Sequence, residues 1–191
     1  MERLYDLVMN KYRYFNANDP DIYFDENIRR NISYYYRSQV FAMLAQALLR
    51  QGDTERAKKV LTKCAEVISP KAVPYDMMDV TLADAYYRAG MPKQGDVIIR
   101  SLYRDTAQLL YWVSQQSPRH QMALMSDITV IYAPRTLMNS LRIDMLWGRN
   151  LLAEYEPMLR QALPTFGSSL EALKAVTAQQ IDQSLSDSTN Q

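Results

Sequence analysis

The hydrophobic positions of the chain recur every three or four residues, which is the spacing that places side chains on one face of an α-helix. The first clear stripe contains Phe41, Leu44 and Leu48, and a second contains Leu82 and Tyr86. No segment of the sequence shows the alternation of apolar and polar residues that a half-buried strand requires. The pattern therefore predicts an all-α protein.

Part of this helical pattern is duplicated. Aligning Gly52 with Gly90 superposes two segments at an offset of 38 residues. The matched positions are Leu44 with Leu82, Ala45 with Ala83, Ala47 with Ala85, Arg50 with Arg88, Val60 with Ile98 and Leu61 with Ile99. Self-similarity at such a period is typical of helical repeat proteins.

Each copy is predicted to form two helices joined by a tight turn. The glycine ends the first helix because a residue without a Cβ enters the left-handed conformation at little cost. Asp53 can then cap the next helix of the first copy, and Pro92 suits the first position of the next helix of the second copy. We therefore expect antiparallel hairpins at about 27–68 and 76–117.

The small and large positions of these hairpins resemble those of tetratricopeptide repeats. Small residues stand where two backbones would approach closely and large residues where a groove remains: Ala45, Ala57, Ala83 and Gly95 against Leu48 and Tyr86. The segment Ser69 to Asp76 lengthens the linker beyond the usual repeat of about 34 residues. The resemblance implies hairpins stacked as an α-α superhelix.

The segment after the second hairpin is also predicted to be helical. Ser117 and Pro118 are a cap and first-position pair, and Pro134 is expected to mark a further break. The apolar period then continues to about Tyr155. We expect these helices, at about 118–163, to cap the repeat array.

The last segment follows Pro164. Ser168 and Glu171 form a capping-box pattern for a final helix that runs toward residue 185. We therefore expect one helical-repeat domain at 1–163 and a C-terminal helix with a flexible tail at 164–191.

Composition and charge narrow the class of partner. The chain has 22 Lys and Arg residues against 21 Asp and Glu residues, so no net field attracts nucleic acid or anionic lipid. No apolar run approaches the roughly 18 residues that a membrane span needs, and the amino terminus lacks the apolar region of a secretory signal. The single cysteine, Cys64, permits no disulfide within the chain.

No residue pattern nominates an enzyme. His120, the only histidine, is expected to be exposed, and Cys64 lies on a core stripe where a buried, inert thiol is expected. The carboxylates of Asn18–Asn27 suggest calcium, but their spacing lacks the glycine and the terminal glutamate of a calcium-binding loop. A capping role for Asp25 is the favoured interpretation. We expect no catalytic residue, no metal and no cofactor.

Two segments interleave tyrosine with arginine: KYRYF at 11–15 and RRNISYYYR at 29–37. Such a composition can stack on bases or sugars. Successive residues of a helix point about 100° apart, so Tyr34, Tyr35 and Tyr36 cannot form one platform. Binding is therefore one interpretation of these segments, and amphipathic packing with exposed hydroxyls is the default one.

The order of several motifs resembles a known family. LYDLVMNKYRYFNANDPDIYFDENIRRN precedes the hairpin LAQALLRQGDTERAKKVL and then VPYDMMDVTLADAYYRAG. Over about 4–110 the chain is similar to the C-terminal soluble region of a bacterial domain-of-unknown-function family of multi-spanning membrane proteins related to protein O-mannosyltransferases. The resemblance implies a domain appended to a glycosyltransferase-like membrane region that these residues do not include.

Two hypotheses about function follow from the resemblance. In the first, the chain is a non-catalytic accessory domain at the inner membrane, on the periplasmic face, which positions an acceptor polypeptide or a protein partner. In the second, it is a free-standing tetratricopeptide-like adaptor that binds a peptide or protein partner. A cytoplasmic location is the alternative.

Stacked hairpins present a concave surface that is lined by the first helix of each hairpin. We predict a binding face there, formed by Arg37, Gln46, Arg50, Asp84, Tyr87 and Arg88. The matched positions of Arg50 and Arg88 motivate this prediction. Both arginines also lie near a helix C-terminus, where positive charge offsets the helix dipole, so a purely solvated role is the alternative.

Overall fold

The computed structural model describes residues 1–189, which are 76% helical and contain no strand. The predicted all-α class is confirmed. The chain forms two compact units, Met1–Ile98 and Ile99–Gln191, which divide within one long helix. The domain boundaries expected from the sequence stay predictions.

The first unit begins with two helices that each contain a wider, π-helical stretch. Helix α1 comprises Glu2–Asp6 and Leu7–Lys11, and helix α2 runs without interruption through Glu26–Asn31, Ile32–Ala42 and Met43–Arg50. Three further helices follow: α3 (Thr54–Val67), α4 (Val80–Arg88) and α5 (Pro92–Ser114), with a 3-10 turn at Met77–Asp79 before α4.

The capping residues and glycines predicted from the sequence stand at helix ends. Asp25 Oδ1 accepts the backbone N–H of Asn27 at 2.8 Å, which caps α2. Gly52 and Gly90 have φ angles of 80° and 72° and end α2 and α4 in the left-handed region that glycine tolerates. Asp53 caps α3 by accepting the Arg56 N–H at 3.0 Å.

Helices α2, α3 and α4 enclose the core of the first unit. Helix α2 contacts α3 over its C-terminal half, and α4 contacts both α2 and α3. The apolar stripes read from the sequence face inward, and their fully buried members are Phe41, Ala45, Leu48, Ala57, Val60, Leu61 and Ala83. Burial of side chains of this size is the main favourable contribution to the stability of such a unit.

The second unit contains the rest of α5 and four more helices. These are α6 (Pro118–Leu124), α7 (Ile128–Leu146), α8 (Glu156–Ala162) and α9 (Leu170–Thr189), with 3-10 turns at Leu151–Glu154 and Leu163–Phe166. Helix α7 packs against α9. The buried apolar residues of the unit include Leu110, Val130, Leu137, Leu141, Leu159 and Leu170.

The expected break at Pro134 is wrong, because this proline lies inside α7. Proline removes one backbone hydrogen bond of a helix, but packing can offset that loss. Here the residues around the proline supply the packing, since Val130, Ala133 and Leu137 are all buried.

The helix boundaries on either side of α7 also differ from the expectation. Asp127 caps α7 by accepting the Thr129 N–H at 2.7 Å, so the helix that starts at Pro118 ends at Leu124. At the other end, Gly148 has a φ angle of 59°, and α7 stops at Leu146 instead of continuing to about Tyr155.

The last helix begins one residue later than the capping box predicted. Ser169, not Ser168, provides the cap, because its Oγ accepts the Ala172 N–H at 3.1 Å. Helix α9 then continues to Thr189, past the expected end at 185. The last two residues of the predicted flexible tail, 190 and 191, lie outside the described residues.

Candidate functional site

A polar cluster connects α2 with α4. Gln46 Nε2 of α2 donates to Asp84 Oδ2 of α4 at 3.4 Å, and Arg88 Nε donates to the same oxygen at 2.7 Å. Asp84 is buried, whereas the Arg88 side chain is 50% exposed. We call Gln46, Asp84 and Arg88 the α2–α4 polar cluster.

The duplicated sequence explains why these side chains meet. Gln46 and Asp84 are separated by the repeat offset of 38 residues, and so are Arg50 and Arg88. Within each helix the arginine follows four residues after its partner position, so both lie on one face. Arg50 is exposed at the end of α2. The predicted residues Gln46, Asp84 and Arg88 are therefore in contact, and Arg50 occupies the equivalent surface position on α2.

The chemistry of the α2–α4 polar cluster suits recognition of oxygen-rich groups. Arg88 and Arg50 are donors of charge-assisted hydrogen bonds, and the Gln46 amide can both donate and accept. A half-exposed ion pair such as Arg88–Asp84 contributes about 0–1 kcal/mol to stability. A ligand carboxylate can therefore share the Arg88 guanidinium at little cost to the fold.

Tyr87 points toward α5 and has a packing role in the first unit. Its hydroxyl donates to Asp96 Oδ1 at 2.9 Å. Its ring lies so close to Gly95 that a Cβ built there would be 2.8 Å from the ring carbons. The side chain is buried, so the ring contributes to the packing of α4 against α5.

Arg37 differs from the prediction of an accessible binding residue, because its side chain is only 1% exposed. Its Nη1 lies 3.2 Å from Asp79 Oδ2, and its Nη2 donates to the Val73 carbonyl at 2.6 Å. The guanidinium also lies 4.6 Å from the centre of the Tyr75 ring. Arg37 therefore connects α2 to the linker between the hairpins.

Burial dominates the electrostatics around Asp79. Removal of the carboxylate from water raises its pKa to about 6, and the attraction of Arg37 only partly opposes this effect. Asp79 Oδ2 also accepts hydrogen bonds from the Ser33 hydroxyl and the Asp76 N–H, whereas Oδ1 has no partner among the described residues. A buried ion pair of this kind fixes local structure and is not exposed to a ligand.

Sequence reasoning predicted an accessible Arg37 because it did not account for the linker that covers this side chain. The segment from Ser69 to Asp76 covers the arginine and presents the Val73 and Pro74 carbonyls to it. Periodicity along α2 predicts which face a residue occupies, but it does not predict what covers that face. The extra length of the linker was a sequence signal for this burial, because its backbone carbonyls need hydrogen-bond donors.

The single cysteine and histidine occupy the environments expected of them. Cys64 is buried, which raises the pKa of its thiol to about 12, so thiolate chemistry is suppressed. His120 is exposed in the first turn of α6. Within residues 1–189, no group of three His, Cys, Asp or Glu residues could hold a metal ion.

The tyrosine-rich segments divide between packing and exposure. Tyr14 donates its hydroxyl to the Val8 carbonyl at 2.6 Å and contacts the half-buried Tyr36, with ring centres 5.9 Å apart. Tyr34 and Tyr35 are exposed and meet edge to face at an interplanar angle of 71°. Their ring faces are therefore not parallel. This agrees with the expectation that these tyrosines do not form one flat stacking surface.

Asp144 is a buried polar residue of the second unit that sequence reasoning missed. Asp144 accepts the backbone N–H groups of Leu151 and Leu152, each at 3.0 Å, and the Tyr103 hydroxyl at 3.1 Å. These bonds cap the 3-10 turn that follows α7. The signal was Gly148, whose left-handed conformation turns the chain back toward Asp144.

None of the helices in residues 1–189 is long and apolar enough to cross a membrane. The α2–α4 polar cluster is the arrangement that best fits the predicted binding face. No known protein family, curated protein or solved structure matches the chain.

Proposed function

We propose that the chain is a non-catalytic protein-interaction scaffold built from stacked tetratricopeptide-like hairpins. The packing of the repeat positions supports this proposal. Ala45 and Ala83, the matched small residues, are completely buried. Tyr86, at a large position of the second copy, donates its hydroxyl to the Leu61 carbonyl of α3 at 2.9 Å. The second hairpin is thus attached to the first through the positions at which the two copies match.

The observation that carries the proposal is the α2–α4 polar cluster. Gln46 and Asp84 of the cluster occupy equivalent positions of the two copies, and Arg88 is equivalent to Arg50 outside the cluster. Repetition therefore brings Arg50 and Arg88 to the same side of successive first helices. Side chains that recur in this way line the surface that solenoid proteins use for extended ligands. The chemistry favours a polypeptide that offers carboxylates or backbone carbonyls to the two guanidinium groups.

The place of the scaffold in a larger protein is a separate proposal that rests on the family resemblance. In this second proposal, the chain is an accessory domain of a membrane glycosyltransferase-like protein and holds an acceptor polypeptide on the periplasmic face. An open reading frame that continues upstream of Met1 into hydrophobic spans supports this placement. A stop codon with a ribosome-binding site at that point favours the free-standing adaptor instead.

Peptide binding provides the test of the scaffold proposal. Peptides selected from a random display library on the purified chain are titrated by fluorescence anisotropy. We expect Arg50→Ala with Arg88→Ala to weaken binding roughly ten-fold or more, because each change removes a charge-assisted hydrogen bond. Arg50→Ala alone is expected to have a smaller effect in the same direction.

A matched control separates the cluster from general surface charge. Arg104→Ala with Arg160→Ala removes two exposed arginines from the second unit and is expected to leave peptide affinity unchanged. Circular dichroism confirms that each variant is folded. Unchanged affinity in a folded Arg50→Ala and Arg88→Ala variant contradicts the assignment of the α2–α4 polar cluster.

A further inference from the structure

The second unit exposes large apolar side chains on both sides of the turn between α6 and α7. Met122 is 80% exposed and Ile131 is 55% exposed, and three neighbours in sequence are exposed as well: Met125, Ile128 and Tyr132. We call these five residues the α6–α7 apolar corner. Several large apolar side chains exposed so close together in sequence indicate an interaction site.

Helix α6 lacks the support that keeps short helices folded. It has seven residues, and none of its side chains is buried. Isolated helices shorter than about 12–15 residues are marginal in water, and most helical stability in proteins comes from packing of an apolar face. Helix α6 presents such a face, with Met122, to solvent. Contact of the corner with an apolar phase would therefore stabilise the folded helix α6.

Three arginines stand close to the corner in sequence or on the same helix. Arg119, Arg135 and Arg142 are exposed and form no ion pair with any described residue. Other arginines of the unit are paired, as Arg100 is with Glu154. The one acidic side chain close in sequence, Asp127, is engaged in capping α7.

The arginines and the apolar residues share one side of α7. Ile128, Arg135 and Arg142 follow one another at intervals of seven residues, which is close to two helical turns. Ile131 and Tyr132 lie on opposite sides of that line and on the same face of the helix. Long arginine side chains can lay their stems on apolar surface and extend the guanidinium toward phosphate.

We propose that the α6–α7 apolar corner, with Arg119, Arg135 and Arg142, is a docking surface for an anionic lipid bilayer. Apolar residues at a helix corner enter the headgroup boundary, and the arginines bind lipid phosphates. From Gln115 to Tyr132 only Val130 is buried, so the segment projects instead of lining a groove for a folded partner. This inference stands apart from peptide binding at the α2–α4 polar cluster.

A second copy of the chain fits the corner less well. Two copies that met face to face would bring together two sets of three arginines, and the single Asp127 of each copy would leave an excess of positive charge, which is unfavourable. An anionic bilayer supplies both an apolar interior and a layer of negative charge. Charge complementarity therefore selects lipid over self-association.

Vesicle co-sedimentation tests the proposal. The full chain is mixed with vesicles of phosphatidylcholine alone or of phosphatidylcholine with phosphatidylglycerol. We expect binding only to the anionic vesicles, with affinity falling as salt is added. Arg119→Glu with Arg135→Glu should abolish binding, because each arginine near the surface accounts for about five-fold in affinity. Ile128→Ser with Ile131→Ser should weaken it about ten-fold or more.

Matched controls come from the first unit and from α5. Arg13→Glu removes an exposed arginine and Val97→Ser an exposed apolar side chain, and neither is expected to alter vesicle binding. Peptide affinity at the α2–α4 polar cluster should be unchanged in the corner variants. Absence of vesicle binding, equal binding to neutral vesicles or binding unaffected by the corner variants overturns the proposal. So does a dimer, detected by sedimentation, that the Ile128→Ser and Ile131→Ser variant abolishes.

Discussion

At the scale of single residues, the buried ion pair of Arg37 with Asp79 ties α2 to the 3-10 turn before α4. Removing one partner of a buried pair leaves the other charge without compensation, which costs far more than the pair itself contributes. Arg37 additionally satisfies the Val73 carbonyl of the linker. Its loss therefore removes both a counter-ion and a backbone hydrogen bond.

We predict that Arg37→Leu lowers the free energy of unfolding by about 3–5 kcal/mol. Without the arginine, Asp79 must either hold an uncompensated buried charge or bind a proton, and both cost free energy. Denaturant titration followed by circular dichroism measures the change. Arg30→Leu is the control, since Arg30 belongs to the same helix but forms an exposed ion pair with Glu26. Its effect should not exceed about 1 kcal/mol. Equal effects of the two substitutions contradict the structural role of Arg37.

Local residue roles could be predicted, and roles that depend on distant segments could not. Asp25 and Asp53 were identified as caps because a cap contacts only the next three residues of its own helix. The burial of Arg37 depends on a linker more than 30 residues later in the chain. Among the predicted binding residues, Gln46, Asp84 and Arg88 meet because repetition makes their positions equivalent, and that equivalence is visible in the sequence.

At the scale of helices, Gly95 determines how closely α5 approaches α4. Replacement of glycine by alanine inside a helix normally stabilises it by about 0.5–1 kcal/mol. At Gly95 the added Cβ would lie 2.8 Å from the Tyr87 ring, which is closer than such atoms pack. The steric conflict should therefore outweigh the gain in helix propensity.

We predict that Gly95→Ala destabilises the protein by about 1–3 kcal/mol, which is typical of overpacking. Thermal unfolding compares this variant with the wild type. In a Tyr87→Ala background the ring is absent, and the same Gly95→Ala change should become neutral or stabilising. A destabilisation that persists without the ring argues against contact with Tyr87 as its cause.

Helix boundaries show where a pattern in sequence is sufficient. Gly52 and Gly90 were recognised as helix ends because each follows an apolar stripe and precedes a start signal. Pro134 was misread because proline usually interrupts a helix, whereas here the buried residues on both sides of it maintain α7. Gly148 was overlooked because the apolar residues beyond it keep the helical spacing by coincidence.

At the scale of the whole molecule, the chain carries one thiol, and it lies in the core of the first unit. Cys64 is buried on α3, so a reagent can reach it only after the surrounding helices separate. The rate of thiol modification therefore reports the opening of the first unit. The second unit has no cysteine and does not contribute to this signal.

We predict that Cys64 reacts with an aromatic disulfide reagent roughly a thousand-fold or more slowly in the folded protein than in denaturant. Absorbance of the released thiolate measures the rate. Met122→Cys supplies the control, because this exposed position of α6 should add a fast phase without altering the slow one. Rapid reaction of Cys64 under native conditions contradicts the burial of α3.

The dependence of the linker on Arg37 also constrains how the gene can change. A deletion within the codons for residues 69–76 would take the Val73 and Pro74 carbonyls away from the guanidinium, and loss of the arginine codon would leave those carbonyls and the Asp79 carboxylate without their donor. A variant that carries both changes is expected to tolerate them better than a variant that carries only one. We therefore expect the spacer and its arginine to be retained or lost together.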